Sequence, residues 1–136
     1  MGENGNVYNH GSQGFFARAL SVAGDGDKLF EMLKWITPYD QEKHPTEIAF
    51  TPPYAIINCW QELPEFNHRG LMCFLTGSVA MAMRGVYEWL LGIKPTLDGL
   101  EIKPCLPKSM TDVEVEFEYL GEKKNIKIVN GEVRLL

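Results

Sequence analysis

The sequence predicts an α+β fold in which a helical part comes first and a small antiparallel β unit follows. Apolar residues recur at helical spacing in the first part of the chain, and they alternate with polar residues after Pro95. The chain has 136 residues, of which 45% are apolar, and this is enough for one domain with its own core. We place the division between the two parts near Lys94.

The chain is expected to begin with a helical hairpin. A first helix covers Ser12 to Ala23, and the run Gly24-Asp25-Gly26-Asp27 ends it and caps a second helix. The second helix ends at Thr37-Pro38, because a residue before proline avoids the helical conformation. Such a hairpin is the unit of an (α/α) barrel and equally of any helical bundle. The apolar face of the first helix consists of Phe15, Phe16, Ala19, Leu20 and Ala23.

The middle of the chain is predicted to contain a long irregular segment and then a buried helix. The segment from Tyr39 to Arg69 is rich in Pro, Glu, His and Asn, and a loop of this length is functional or is supported by a larger body. The helix from Met72 to Leu91 is apolar almost all round, with only Arg84 and Glu88 charged. A helix without a polar face is buried on all sides. We therefore expect this chain to be part of a larger body.

The last third of the chain predicts antiparallel strands. Apolar and acidic residues alternate along one strand, and Asn130-Gly131 indicates a tight hairpin between two further strands. The acidic row is interpreted as a solvated strand face. The alternating residues are Val113, Val115, Phe117 and Tyr119 on one side and Glu114, Glu116 and Glu118 on the other.

Composition excludes several classes of function. The chain has 18 acidic and 13 basic residues, which argues against nucleic-acid or anionic-membrane partners. Three cysteines without paired spacing predict neither a metal site nor a disulfide framework, but buried free thiols in a reducing cytoplasm. The sequence has no signal-peptide pattern, and its longest uncharged apolar stretch is too short to span a bilayer. We expect a soluble, cytoplasmic protein.

The segment Phe74-Leu75-Thr76-Gly77-Ser78 stands where the apolar helix begins. A helix N-terminus carries unpaired N–H groups and partial positive charge, so it attracts anions. Thr76 adds a hydroxyl, and Gly77 lets an oxyanion approach the main chain. Thr76 is also an ordinary N-cap residue, and this segment alone leaves both interpretations open.

Four elements in order resemble one enzyme family. They are the segment from Glu3 to Gly11, which contains Tyr8-Asn9-His10, then Pro53-Tyr54-Ala55-Ile56-Ile57-Asn58, the Thr76-Gly77 element, and the segment from Leu91-Gly92-Ile93 through Asp98-Gly99-Leu100 to Pro104-Cys105-Leu106-Pro107. Together they resemble the C-terminal end of the cellobiose and chitobiose phosphorylases of glycoside hydrolase family 94. The resemblance implies that residues 1–93 form the terminal helices of an (α/α)6 barrel catalytic domain. Residues 94–136 would form a C-terminal β-strand domain, a small antiparallel β-sandwich portion.

The resemblance also implies an activity. The family cleaves a β-linked gluco-oligosaccharide with inorganic phosphate and releases an α-sugar 1-phosphate with inversion. It implies no cofactor and no metal. Inorganic phosphate is the co-substrate. By resemblance His10, Thr76 and Gly77 bind phosphate, and Tyr54 and Asn58 contact the sugar. Asn58 stands where the family usually has glutamine, and Pro52 where it often has an acidic residue, which leaves the sugar open.

The family's catalytic aspartate lies upstream of the element that ends at His10, so we expect no catalytic acid in this chain and no activity of the chain alone. The expected partners are the missing N-terminal part of the enzyme and, for the parent, a second copy in a homodimer. Two alternatives remain. One is a fragment of an (α/α)-barrel hydrolase, for which Glu3, Glu47 and Glu62 are the nearest candidate bases. The other is a non-catalytic carbohydrate-binding or assembly module.

Overall fold

A computed structural model describes residues 7–37, 51–52, 54–63, 66–71, 73 and 76–136 of the chain. This part is mixed α+β, as the sequence predicts: helices lie before residue 93 and two antiparallel sheets follow. A third antiparallel sheet, which the sequence did not predict, lies among the helices. The helices of the described part are too few to form a barrel, so the (α/α)6 architecture and the two domain ranges stay predictions.

The predicted helical hairpin is confirmed. Helix α1 spans His10–Ala23 and helix α2 spans Gly26–Ile36. Gly24 adopts a left-handed conformation with φ of 74°, its N–H donates to the Ser21 carbonyl, and the Asp25 N–H donates to the Leu20 carbonyl. This pair of bonds is the Schellman arrangement that ends many helices at glycine. The Asp25 carboxylate then accepts a bond from the Lys28 N–H and caps α2.

The apolar face predicted for α1 is largely wrong. The core of the helical part contains Ala17, Leu29 and Leu33, whereas Phe15 is 68% exposed and Phe16 is 52% exposed. Ala19 and Ala23 are also exposed, and Leu20 alone of the predicted set packs against the core. Periodicity therefore identified the helix, but the side that faces the core is the one that carries the smaller residues.

The third predicted helix, from Met72 to Leu91, is interrupted. Helix α3 spans Thr76–Arg84, and a π-helical segment, Gly85–Leu90, continues it. The Leu91 N–H donates to the Val86 carbonyl five residues earlier, the bond that defines this wider turn. One face of this helix is exposed along its length, so this chain leaves uncovered a helix whose sequence favours burial on all sides.

The segment predicted to be irregular contains two strands. Residues 38–50 lie outside the described part. The strands of the first sheet are β1 Val7–Asn9, β2 Cys59–Leu63 and β3 Phe66–Leu71. Strands β2 and β3 pair antiparallel with each other, and β1 pairs with β2. The sequence did not predict these three strands.

The β unit confirms the alternating pattern. Ile126 and Ile128 are fully buried, while the row of glutamates is exposed and forms ion pairs such as Glu114 with Lys127 at 3.1 Å. The predicted Asn130-Gly131 turn has positive φ at both residues, as a type I′ hairpin turn requires. The strands are β4 Ile93–Thr96, β5 Gly99–Ile102, β6 Asp112–Tyr119, β7 Glu122–Val129 and β8 Glu132–Leu135.

The segment from Leu91 to Pro107 joins the helices to the β unit. Gly92 has φ of 71°, and a Cβ atom at this position would overlap the Lys103 carbonyl. The Lys103 N–H donates to the Gly92 carbonyl at 3.0 Å, and the Cys105 N–H donates to the Leu90 carbonyl at 2.8 Å. This segment, the most specific part of the family resemblance, thus has a structural explanation: it closes the chain back on the end of the π-helical segment.

The cysteines are unpaired, as predicted, but less buried than predicted. Cys59, Cys73 and Cys105 are all free and half-buried. Burial, and secondarily the charge of Asp25, raises the pKa of the Cys105 thiol. No helix in the described residues is long and apolar enough to cross a bilayer.

Candidate functional site

Helices α1 and α3 run parallel to each other. A Cβ atom placed at Gly14 would lie 2.8 Å from the Met81 Cβ atom, and seven residues further along α1 the Ser21 hydroxyl donates to the Trp89 carbonyl at 3.0 Å. Positions therefore advance together along both helices. The first residues of α1 and α3, His10 and Thr76, consequently lie at the same end of the pair.

The first sheet brings Asn58 to this end. Strand β1 pairs with β2 so that Asn9 lies opposite Cys59. His10 follows Asn9 directly, and Asn58 directly precedes Cys59. The pairing of these two strands therefore places the start of α1 and Asn58 next to each other.

A hydrogen bond ties Asn58 to the first turn of α3. The Ser78 hydroxyl donates to Asn58 Oδ1 at 2.8 Å, and Asn58 Nδ2 donates to the Cys59 Sγ atom at 3.2 Å. Ser78 is only 2% exposed, whereas Asn58 is half-buried. The structure thus brings together, at one end of the α1–α3 pair, the backbone starts of both helices and the side chain of Asn58. We call this region the shared helix end.

The first turn of α3 has open space beside Gly77. Gly77 is exposed, and apart from its neighbours in the helix nothing lies within 4 Å of the position that a Cβ atom would take there. The first N–H groups of a helix have no partner four residues earlier, so they are directed out of the helix end. The side chains of His10 and Thr76 lie outside the described part of the structure. For these two residues the structure gives the backbone position at the start of each helix.

Tyr54 has a different environment. Its side chain is 69% exposed, and its φ of 58° is uncommon for a residue other than glycine. The described structure shows Asn58, but not Tyr54, bonded to the first turn of α3. Of the two residues predicted to contact sugar, Asn58 is thus the one joined to the shared helix end.

Arg84 at the end of α3 and Glu88 in the π-helical segment form an ion pair. The Arg84 guanidinium donates to both carboxylate oxygens of Glu88 at 2.8 Å each, and it lies 5.8 Å from the centre of the Trp89 ring. The hydrogen bond from Arg84 holds the pKa of Glu88 below its ordinary value. Glu88 is about three turns from the shared helix end, so its carboxylate does not stand among the predicted anion ligands.

The described part of the chain was also compared with what a metal site or a ligand cavity would need. Its side chains include no group of three or more His, Cys, Asp or Glu that could hold a metal ion. An open cavity of about 640 Å³ lies on the β unit and is lined mainly by apolar residues, among them Leu100, Phe117 and Tyr119. It contains none of the predicted site residues.

Sequence reasoning missed Ser78 as a member of this region. The signal was present, because a hydroxyl residue directly follows the Thr76-Gly77 element at the start of an otherwise apolar helix. Nothing local, however, indicates that this hydroxyl is buried or that its partner is twenty residues earlier in the chain.

Comparison with known proteins gives related enzymes. The chain is 29% identical over 135 residues to the cellobionic acid phosphorylase of Neurospora crassa and 31% identical over 130 residues to the solabiose phosphorylase of Paenibacillus borealis. It is 26% identical over 129 residues to the N,N'-diacetylchitobiose phosphorylase of Vibrio furnissii. These matches cover 97%, 94% and 94% of this chain. The chain is related to the disaccharide phosphorylases.

This relationship confirms the resemblance to the cellobiose and chitobiose phosphorylases and fixes its extent. The chain spans only 16–17% of the length of these phosphorylase relatives, as expected for a small part of such an enzyme. No protein-family model matches the chain.

Proposed function

We propose that this chain forms part of an inverting disaccharide phosphorylase and contributes one side of its phosphate site. The observation that carries the proposal is the parallel packing of α1 and α3 in a relative of these phosphorylases. Two helix N-termini at one end add their partial positive charges, and such an end favours a dianion.

In this proposal the phosphate ligands are the His10 imidazole, the Thr76 hydroxyl and the N–H groups at Gly77. All three are donors, and none is a carboxylate that would repel phosphate. The open space beside Gly77 supports this assignment, because an anion oxygen needs to come within about 3 Å of an N–H donor.

The proposed reaction needs an acid but no base. An oxygen of phosphate forms a bond to the anomeric carbon while the bond from that carbon to the leaving sugar oxygen breaks. A general acid donates a proton to the leaving oxygen. An inverting hydrolase needs a second carboxylate to activate water, but phosphate is already an anionic nucleophile. The products are an α-sugar 1-phosphate and the shortened sugar.

We assign the sugar contacts to Asn58 and Tyr54, with a β-linked gluco-oligosaccharide as the substrate. The bond from Ser78 to Asn58 supports a sugar position next to the phosphate, since it holds Asn58 against the turn that contains Gly77. The acid would come from a part of the enzyme outside this chain. We therefore expect the chain alone to release no sugar 1-phosphate, because a positioned acid contributes about 10²–10⁴-fold to the rate.

The first test is titration of the ¹⁵N-labelled chain with inorganic phosphate, followed by NMR. We expect the shifts to be concentrated at the amides of His10 and of residues 76–78, with sulfate acting similarly and chloride at equal ionic strength having no such effect. The absence of any phosphate-specific shift, or shifts concentrated on the β unit, would remove the assignment.

The second test separates binding from stability. Gly77→Ala adds a methyl group where the structure has open space, so the free energy of unfolding should not fall, whereas phosphate should bind more weakly. In an enzyme that contains this chain together with the catalytic acid, His10→Ala should raise the KM for phosphate far more than that for sugar. A His10 variant that loses only sugar affinity would contradict the phosphate assignment.

A further inference from the structure

The hydroxyl of Ser78 is buried and directed at a single partner. Ser78 lies in the first turn of α3, is 2% exposed, and donates a 2.8 Å hydrogen bond to Asn58 Oδ1. It is the one buried polar residue among the described side chains. A buried hydroxyl is stable only when it is hydrogen-bonded, so its bond to Asn58 is a requirement of its position.

This bond holds the Asn58 amide against the first turn of α3. Asn58 Oδ1 accepts from the Ser78 hydroxyl, and Asn58 Nδ2 donates to Cys59 Sγ at 3.2 Å. The reverse amide orientation would set the amide oxygen against the cysteine sulfur, which is only a weak donor. Cys59 thus favours this amide orientation, and the Ser78 hydroxyl holds the amide in place.

We infer that Ser78 is a positioning residue that acts through Asn58. It holds the Asn58 side chain against the first turn of α3 and so sets the distance between the bound sugar and the bound phosphate. Ser78 itself touches neither ligand. This inference rests on the proposed function, in which Asn58 contacts the sugar and the turn at Gly77 holds phosphate.

The consequence is that loss of the Ser78 hydroxyl should affect the binding of two ligands differently. Inorganic phosphate needs only the helix end, and Ser78→Ala leaves the backbone of that end in place. A sugar 1-phosphate needs the helix end and Asn58 at the same time. Loss of the Ser78 hydroxyl should therefore weaken the sugar 1-phosphate and leave inorganic phosphate nearly unaffected.

The experiment measures the Kd of α-D-glucose 1-phosphate and of inorganic phosphate for the full chain. We expect Ser78→Ala to raise the Kd of glucose 1-phosphate by roughly three- to tenfold, the loss that one hydrogen bond explains, with a change below about twofold for phosphate. Asn58→Ala should have the same effect. The double variant should be no weaker than Asn58→Ala alone, because Ser78 acts only through Asn58.

Two further variants of Ser78 serve as controls. Ser78→Thr retains the hydroxyl and should restore affinity, and Ser78→Cys tests a group of similar size that donates weakly. Equal weakening of both ligands in Ser78→Ala would mean general structural damage and would overturn the inference. A wild-type chain that binds glucose 1-phosphate no more tightly than inorganic phosphate would also overturn the inference. A wild-type chain that binds neither ligand would overturn the proposed function itself.

Discussion

Gly14 of α1 lies directly against Met81 of α3. A Cβ atom at Gly14 would come within 2.8 Å of the Met81 Cβ atom and 3.0 Å of its Cε atom, closer than side-chain carbons approach one another. Because Gly14 is one turn after His10 and Met81 lies in the second turn of α3, this contact sets how closely the two helix starts approach.

We expect Gly14→Ala to lower the free energy of unfolding by up to about 2 kcal/mol. Alanine favours a helix by about 1 kcal/mol relative to glycine, but overpacking a close contact costs about 1–3 kcal/mol. Urea unfolding followed by circular dichroism measures the change. Gly77→Ala is the matched control, since that helical glycine has nothing within 4 Å and should show no loss. A Gly14 variant more stable than wild type would refute the close packing.

The second prediction concerns Gly92. Its φ of 71° disfavours any side chain, and a Cβ atom would overlap the backbone of Lys103, which cannot rotate away. Gly92→Ala should therefore cost about 3 kcal/mol or more in unfolding free energy. Gly24→Ala shares the left-handed conformation, with φ of 74°, but meets nothing within 4 Å, so it should cost only about 1–2 kcal/mol. Equal losses in the two variants would mean that the contact with Lys103 contributes nothing.

The third prediction concerns the exposed apolar face of the helices. Phe15 and Val22 of α1 are 68% and 81% exposed, and Val79, Met83 and Tyr87 are also exposed. Trp89 and Leu90 are buried and Met81 is half-buried, so these three apolar residues do not belong to the exposed face. Large apolar patches on a surface favour association.

We expect the chain to associate as its concentration rises and to bind a hydrophobic dye. The double variant Phe15→Lys with Val22→Lys should reduce both effects in light scattering and in dye fluorescence. Leu97→Lys is the control, because Leu97 is fully exposed at the β4–β5 turn, away from the helices. A dye-free monomer at all concentrations would count against this prediction.

The fourth prediction is a pH dependence from the Arg84–Glu88 pair. The hydrogen bond from Arg84 lowers the pKa of Glu88, and the charges of Arg84, Lys94 and Arg18 act in the same direction. A lowered folded-state pKa means that the stabilisation is present above the ordinary pKa of about 4.5 and is lost as pH falls through the folded value. Both side chains are partly exposed, so the pair contributes only about 0.3–0.5 kcal/mol.

Glu88→Gln should therefore lower the unfolding free energy slightly at pH 7, and the difference from wild type should disappear as the pH falls through the lowered folded-state pKa of Glu88. Chemical unfolding at a series of pH values measures this difference. Addition of salt at pH 7 should reduce it as well, because exposed charges are screened. A difference that is constant with pH would show that the carboxylate charge is not its cause.

Local sequence signals predicted several elements correctly. The hairpin of α1 and α2 followed from the Gly24-Asp25 stop and cap, and the β6–β8 sheet followed from strict alternation and from Asn130-Gly131. These features depend on backbone geometry within a few residues, so a single sequence contains them. The resemblance to the phosphorylases likewise rests on short elements that a sequence displays directly.

Other features depend on contacts between distant parts of the chain. The sequence marked Phe15 and Phe16 as one apolar face, but only packing against α2 and α3 decided that Ala17 faces the core instead. It also missed the sheet of β1, β2 and β3, because short strands gain their stability from partners and not from their own pattern.

The sequence by itself determined the fold class, the helical hairpin, the β unit and the relationship to the phosphorylases. Only the tertiary structure decided that α1 and α3 run parallel, that His10, Asn58 and Gly77 come to one end, and that a buried Ser78 hydroxyl holds Asn58 there. The physical reason is that hydrogen bonds and close packing join residues by distance in space, and Ser78 and Asn58 are twenty residues apart in the chain.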